Sequence, residues 1–95
     1  MARYISLLHL TDKGAKEIKN STNRARAFDK LAAKSGVKVE AQYWTIGKYD
    51  GVLILSAATE QQVLRVLASL AALGNLRTTT TQAFGDKEFD ALIGG

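Results

Sequence analysis

The sequence predicts an α+β domain, a four-stranded antiparallel sheet with helices on one face. Three observations point there. Strand-like and helix-like patterns follow one another as strand, helix, strand, and the same order then repeats. The first and third strand-like runs are apolar at nearly every position, as buried central strands are, while the second and fourth are more polar, as sheet edges are. The two halves meet at Gly47-Lys48-Tyr49-Asp50, where glycine supplies backbone freedom and aspartate can bond its local backbone between β-branched and aromatic runs.

Arg3 to Leu10 (RYISLLHL) is a short apolar run bounded by Thr11-Asp12 and reads as the first, buried strand. Thr11 or Asp12 starts a short helical turn, which Gly14 weakens and Asn20-Ser21 ends. A longer helix begins with Ser21 as N-cap, places Ala25, Phe28, Leu31 and Ala32 on one face, and stops at Lys34 and Gly36. Val37 to Ile46 alternates, with Val37, Val39, Ala41 and Tyr43 toward the helix-covered core and Trp44 on the opposite, uncovered face. Val52 to Ala57 (VLILSA) reads as an interior strand. Thr59 and Gln62 have capping-box spacing, and Val63, Leu64, Val66, Leu67, Leu70 and Ala71 form a broad apolar helix face that Gly74 terminates. Leu76 to Phe84 is β-branched but polar on both faces, which suits an edge strand. A final helical turn capped by Asp86 offers Phe89, Leu92 and Ile93. Right-handed crossovers lead this double split unit to a ferredoxin-like sandwich with strand order 4-1-3-2.

Ninety-five residues, 46% hydrophobic and 23% charged, suit one domain over residues 1–95. With helices on one side only, apolar residues of the central strands remain on the other, so a second copy is the expected cover: a homodimer or higher homo-oligomer. The absence of cysteine excludes a disulfide framework and thiol chemistry and fits a cytoplasmic protein. The apolar N-terminal run is too short to span a membrane. The net charge of +4 comes from interspersed signs and names no partner.

Leu10-Thr11-Asp12-Lys13-Gly14, Arg24-Ala25-Arg26-Ala27-Phe28, Tyr43 to Asp50, Leu73-Gly74-Asn75-Leu76-Arg77-Thr78 and Thr81-Gln82-Ala83-Phe84, in this order, closely resemble the GYD-domain family. Gly47, Tyr49 and Asp50 carry the eponymous pattern, and the resemblance spans about Tyr4 to Ile93. It implies a ferredoxin-like domain of the dimeric α/β-barrel type, and it assigns no reaction.

Asp50, Tyr49 and Lys48 offer a carboxylate, a phenol and a cation at one turn. The simpler reading is that Gly47, Lys48, Tyr49 and Asp50 are a structural turn whose carboxylate holds backbone N–H groups. His9, the sole histidine, is the best single proton-transfer candidate, and without companion ligands it makes no metal site. Ligand contacts are therefore sought at His9, Trp44, Tyr49 and Asp50, and interface contacts at Trp44, Phe89, Leu92 and Ile93. Arg26, Lys30 and Lys34 repeat at helical spacing, but the central strands carry no stacking aromatics at Val52 to Ser56, which argues against an RNA reader. No cofactor is implied. The leading expectation is a homo-oligomeric module that binds a small ligand or regulates. The alternatives are a cofactor-free monooxygenase- or isomerase-like enzyme and a purely structural oligomerisation domain.

Overall fold

Alternation along the first strand sets the two faces of the sheet. In the computed structural model, which describes residues 1–94, β1 (Ala2–Leu10) turns Tyr4 and Ser6 to one side, where both are buried, and leaves Ile5 and Leu7 half-buried on the other. The chain continues through α1 (Asp12–Lys16), a 3₁₀ turn (Ile18–Asn20), α2 (Ser21–Lys34), β2 (Lys38–Trp44), β3 (Gly51–Ala57), α3 (Glu60–Ala72), β4 (Leu76–Ala83) and α4 (Asp86–Leu92). All strand pairs are antiparallel, in the order β2-β3-β1-β4. This is the expected 4-1-3-2 order read from the other edge, and the fold is ferredoxin-like.

The buried side chains explain the layering. Tyr4, Leu53, Leu55 and Ala57 of the sheet meet Phe28 and Ala32 of α2 and Val63, Val66 and Leu70 of α3 in one cluster. Leu55 and Val66 are fully buried at its centre. Ile5, Leu7, Val52 and Ile54 pair across β1 and β3 on the other face, which no helix covers. The capping box forms as its spacing predicts: the Gln62 N–H donates to Thr59 Oγ1 and the Thr59 N–H to Gln62 Oε1.

One polar atom in this core is left over. The Tyr4 hydroxyl is buried with no hydrogen-bond partner among the described residues. Removing an unpaired buried hydroxyl relieves its desolvation cost, so Tyr4→Phe is expected to leave stability unchanged or raise it by up to about 1 kcal/mol in a urea titration. A clear loss would show that the hydroxyl has a partner.

Several local expectations change. Ser21 is not an accepting N-cap; its hydroxyl donates to the Ile18 carbonyl, because the 3₁₀ turn runs straight into α2. Asp86 is the first residue of α4 rather than its cap, and the Gly85 N–H donates to Glu88 Oε1. Leu64 and Ala71 face solvent, leaving a narrower stripe on α3 than the sequence suggested. The largest change lies in β2. Its register with β3 shifts between Val39 and Ala41, a bulge that sets Glu40 outside the ladder. Beyond it Ala41 lies opposite Ile54 and Tyr43 opposite Val52 on the bare face, while Gln42 lies opposite Leu53 and Trp44 opposite Gly51 on the helix side. The expected places of Tyr43 and Trp44 are thus exchanged, because one extra residue reverses every side chain after it.

Candidate functional site

The turn between the two halves is longer than a two-residue hairpin: β2 ends at Trp44 and β3 begins at Gly51. Gly47 has φ 136°, a conformation that favours glycine, and a Cβ there would meet nothing within 4 Å, so its role is conformational. The Thr45 N–H donates to the Asp50 carbonyl (3.0 Å) and its hydroxyl to the Tyr49 carbonyl (2.6 Å), which closes the loop on itself. Asp50 then joins it to β1. Its N–H donates to the Leu8 carbonyl, and its Oδ2 accepts the Leu10 N–H at 2.8 Å. This carboxylate completes the hydrogen bonding of the strand end.

The candidate ligand residues divide between two places. His9 and Tyr49 stack with ring centroids 4.6 Å apart and planes tilted by 46°, and Lys48 Nζ lies 5.7 Å from the Tyr49 ring centre. His9 alternates with Leu8 and Leu10, so this cluster stands beyond the end of the bare face. Trp44 and Asp50 instead line a cleft of about 370 Å³ between the sheet and α2, a size in the range of small-molecule sites. The two proton-transfer candidates, His9 and Asp50, are therefore not brought together in the cleft.

Sheet residues Leu8, Leu10, Leu53 and Leu76 form the cleft floor, and Phe28 and Leu31 of α2 its roof. Two separate pieces of chain hold its end together. The Thr11 N–H donates to the Asn75 carbonyl (3.1 Å), the Thr11 hydroxyl to the Gly74 carbonyl (2.6 Å), and Lys13 Nζ to the Leu73 carbonyl (3.0 Å). Thr11 also caps α1 by accepting the Gly14 N–H. Arg24 ties α2 to the same region by donating to the Gly14 and Glu17 carbonyls and to Glu17 Oε2, 3.3 Å away.

Sequence reasoning missed Asn75 and Arg24 as wall residues. Asn75 is 8% exposed, lines the cleft, and its Oδ1 has no hydrogen-bond partner among the described residues. The available signal was its place straight after the Gly74 stop, where an asparagine reads simply as a loop residue. Among the described residues no group of three or more His, Asp or Glu could hold a metal ion, and no helix is long and apolar enough to cross a membrane. Phe89, Leu92 and Ile93 of the C-terminal segment are all exposed, and Arg3 meets Glu88 at 3.8 Å.

The family model described as the GYD domain matches residues 4–93. A protein of Thermus thermophilus named glutamine synthetase and cystathionine beta-lyase binding protein is 34% identical over 84 residues, 87% of this chain and 88% of the relative. The crystal structure of TTHA0845, also from Thermus thermophilus, is similar with TM-score 0.58 and 22% identity, over 90% of this chain and 95% of that one. Hypothetical protein PHS023 from Pyrococcus horikoshii gives TM-score 0.58 and 18% identity, over 90% and 93%. At these identities the solved structures speak to the fold alone.

Proposed function

This chain belongs to the GYD-domain family, and on that premise we propose that it is a homo-oligomeric binding module of regulatory type. Its bare sheet face takes a second copy, its cleft takes a small molecule, and the assembly docks on a metabolic enzyme. The observation that carries this reading is the use made of Asp50: its Oδ2 holds the Leu10 N–H, so the carboxylate of the signature turn serves architecture and leaves the cleft to recognition. The name of the Thermus relative, glutamine synthetase and cystathionine beta-lyase binding protein, supports a role exercised through binding.

The bare face explains the proposed assembly. Ile5, Leu7, Val52 and Ile54 form its centre, and Tyr43, 60% exposed, extends it toward the β2 edge. Burying such a patch against its own copy is favourable at roughly 25 cal/mol per Å² before association costs. Sedimentation at micromolar concentration is expected to give a dimer or larger species, and Ile54→Asp to give a folded monomer. The assembled protein is expected to bind purified glutamine synthetase or cystathionine β-lyase from the same organism saturably in interferometry. A wild-type monomer would remove the assembly, and no binding to either enzyme would remove the proposed partners.

A further inference from the structure

Every residue of α4 is exposed, although Phe89 and Leu92, with Ile93 just beyond, recur at helical spacing and form an apolar face. A helix with such a face belongs against something. Asp86 and Asp90 border that face on one side and Glu88 on the other. Glu88 is turned to its own sheet, where it meets Arg3. Arg3 shares its side of β1 with Ile5, Leu7 and His9, so α4 stands on the bare-face side, at the end of the face where β1 begins. There the cations Arg3 and Lys38 are matched by Glu88 and Glu40, which leaves Asp86 and Asp90 against Lys87 alone.

The opposite end of the same face is basic and aromatic. His9 lies six residues beyond Arg3, about 20 Å along β1. It stacks on Tyr49, Lys48 lies beside that ring, and Arg77 faces His9 across the β1–β4 pair. Neither Lys48 nor Arg77 makes an ion pair among the described residues. Asp50, the carboxylate of this turn, is held on the Leu10 N–H and lines the cleft on the other side of the sheet.

We propose that α4 is a clasp: in the dimer that covers the bare face the two sheets stack with their strands reversed, and the α4 of each copy closes over the His9-Tyr49 end of the other. The proposal rests on the reading above that a second copy covers this face, and it fixes how that copy is turned. Packed sheets lie about 10 Å apart and a helix is about as thick, so a helix on the rim of one sheet fills the gap and reaches the other. A twofold axis across the strands sets β1 against β1 and β4 against β4 with their ends exchanged. The helix that follows β4 then lands on Arg77 and His9 of the other copy. Its apolar face meets the aromatic rings, and Asp86 and Asp90 meet Lys48 and Arg77. The alternative axis, along the strands, brings acidic helix near acidic helix and basic end near basic end, which like-charge repulsion disfavours.

The chain has no cysteine, so introduced thiols report contacts without background. The double variant Tyr49→Cys/Leu92→Cys, treated with a short bismaleimide at micromolar concentration, is expected to give a covalent dimer whose linked peptides join position 49 to position 92. Either substitution alone is expected to stay unlinked, since like positions then lie at opposite ends. In sedimentation Arg77→Glu is expected to raise the dimer dissociation constant about tenfold or more, and Asp90→Arg in the same chain to restore most of the loss. Both of these residues are exposed, so the charge exchange decides the matter if the cysteine variant does not fold. Linkage through Leu92→Cys alone, a folded dimer in which 49 and 92 never link, or a dimer indifferent to Arg77→Glu would each overturn the clasp and leave the second-copy reading standing. A wild-type monomer would overturn both.

Discussion

Gly14→Ala is expected to lower the melting temperature by roughly 10–20 °C, corresponding to about 2–3 kcal/mol for a chain of this size. A Cβ at this position would sit 3.0 Å from the Asn75 carbonyl carbon, nearer still to its oxygen, and 3.1 Å from Leu10 Cδ2. The obstacle is backbone rather than a flexible side chain. Nor is that backbone free to retreat, because the Asn75 carbonyl accepts the Thr11 N–H and the neighbouring Gly74 carbonyl accepts the Thr11 hydroxyl. Helix propensity argues the other way: inside α1 alanine should be better than glycine by up to about 1 kcal/mol. The two effects have opposite sign, and the clash is the larger. A thermal melt that rises, or does not move, would mean that α1 lies farther from Asn75 than described.

Asp50→Ala is expected to cost about 1–3 kcal/mol, because it leaves the Leu10 N–H without an acceptor at the end of a half-buried strand. Asp50→Asn restores an acceptor of the same shape and should recover most of the loss. The discriminating readout is local. Hydrogen exchange at the Leu10 amide should be protected in the wild type and in Asp50→Asn and markedly faster in Asp50→Ala. If the alanine variant keeps both its stability and the protection of Leu10, the turn does not hold β1 as described. The comparison also separates the hydrogen bond from the charge.

The course of the chain is legible because its signals are local and repeated. The all-apolar runs at β1 and β3, the alternation entering β2 and the capping box of Thr59 and Gln62 each depend on residues a few positions apart. The site is less legible for a physical reason. Trp44 stands out in the sequence but falls on the wrong face of the sheet, because strict alternation carries no warning of a bulge; the insertion at Glu40 is a property of the paired strands, not of β2 alone. Asp50 reads as a backbone acceptor at its own turn, yet the N–H it holds belongs to Leu10, 40 positions away. Asn75 and Arg24 are invisible as wall residues for the same reason. The first looks like a loop residue after a helix stop and the second like a solvated helix residue until α1, α2 and the loop after α3 are brought together.

That meeting has a consequence for the order in which the molecule is made. The bond from Thr11 to Gly74 spans 63 positions, and the one between Ser6 and Thr80 spans 74, so the central strand finds its second neighbour only when the chain is nearly finished. Contacts of such sequence separation close slowly, since the entropy of the intervening loop is lost before any of them forms. Asn75 and Leu76, which complete the cleft, belong to the last quarter of the 95 residues. A chain still emerging from the ribosome can build the hairpin of β2 and β3 early, but it gains the cleft last, with β4. A complete cleft is thereby reserved for molecules whose synthesis is all but finished.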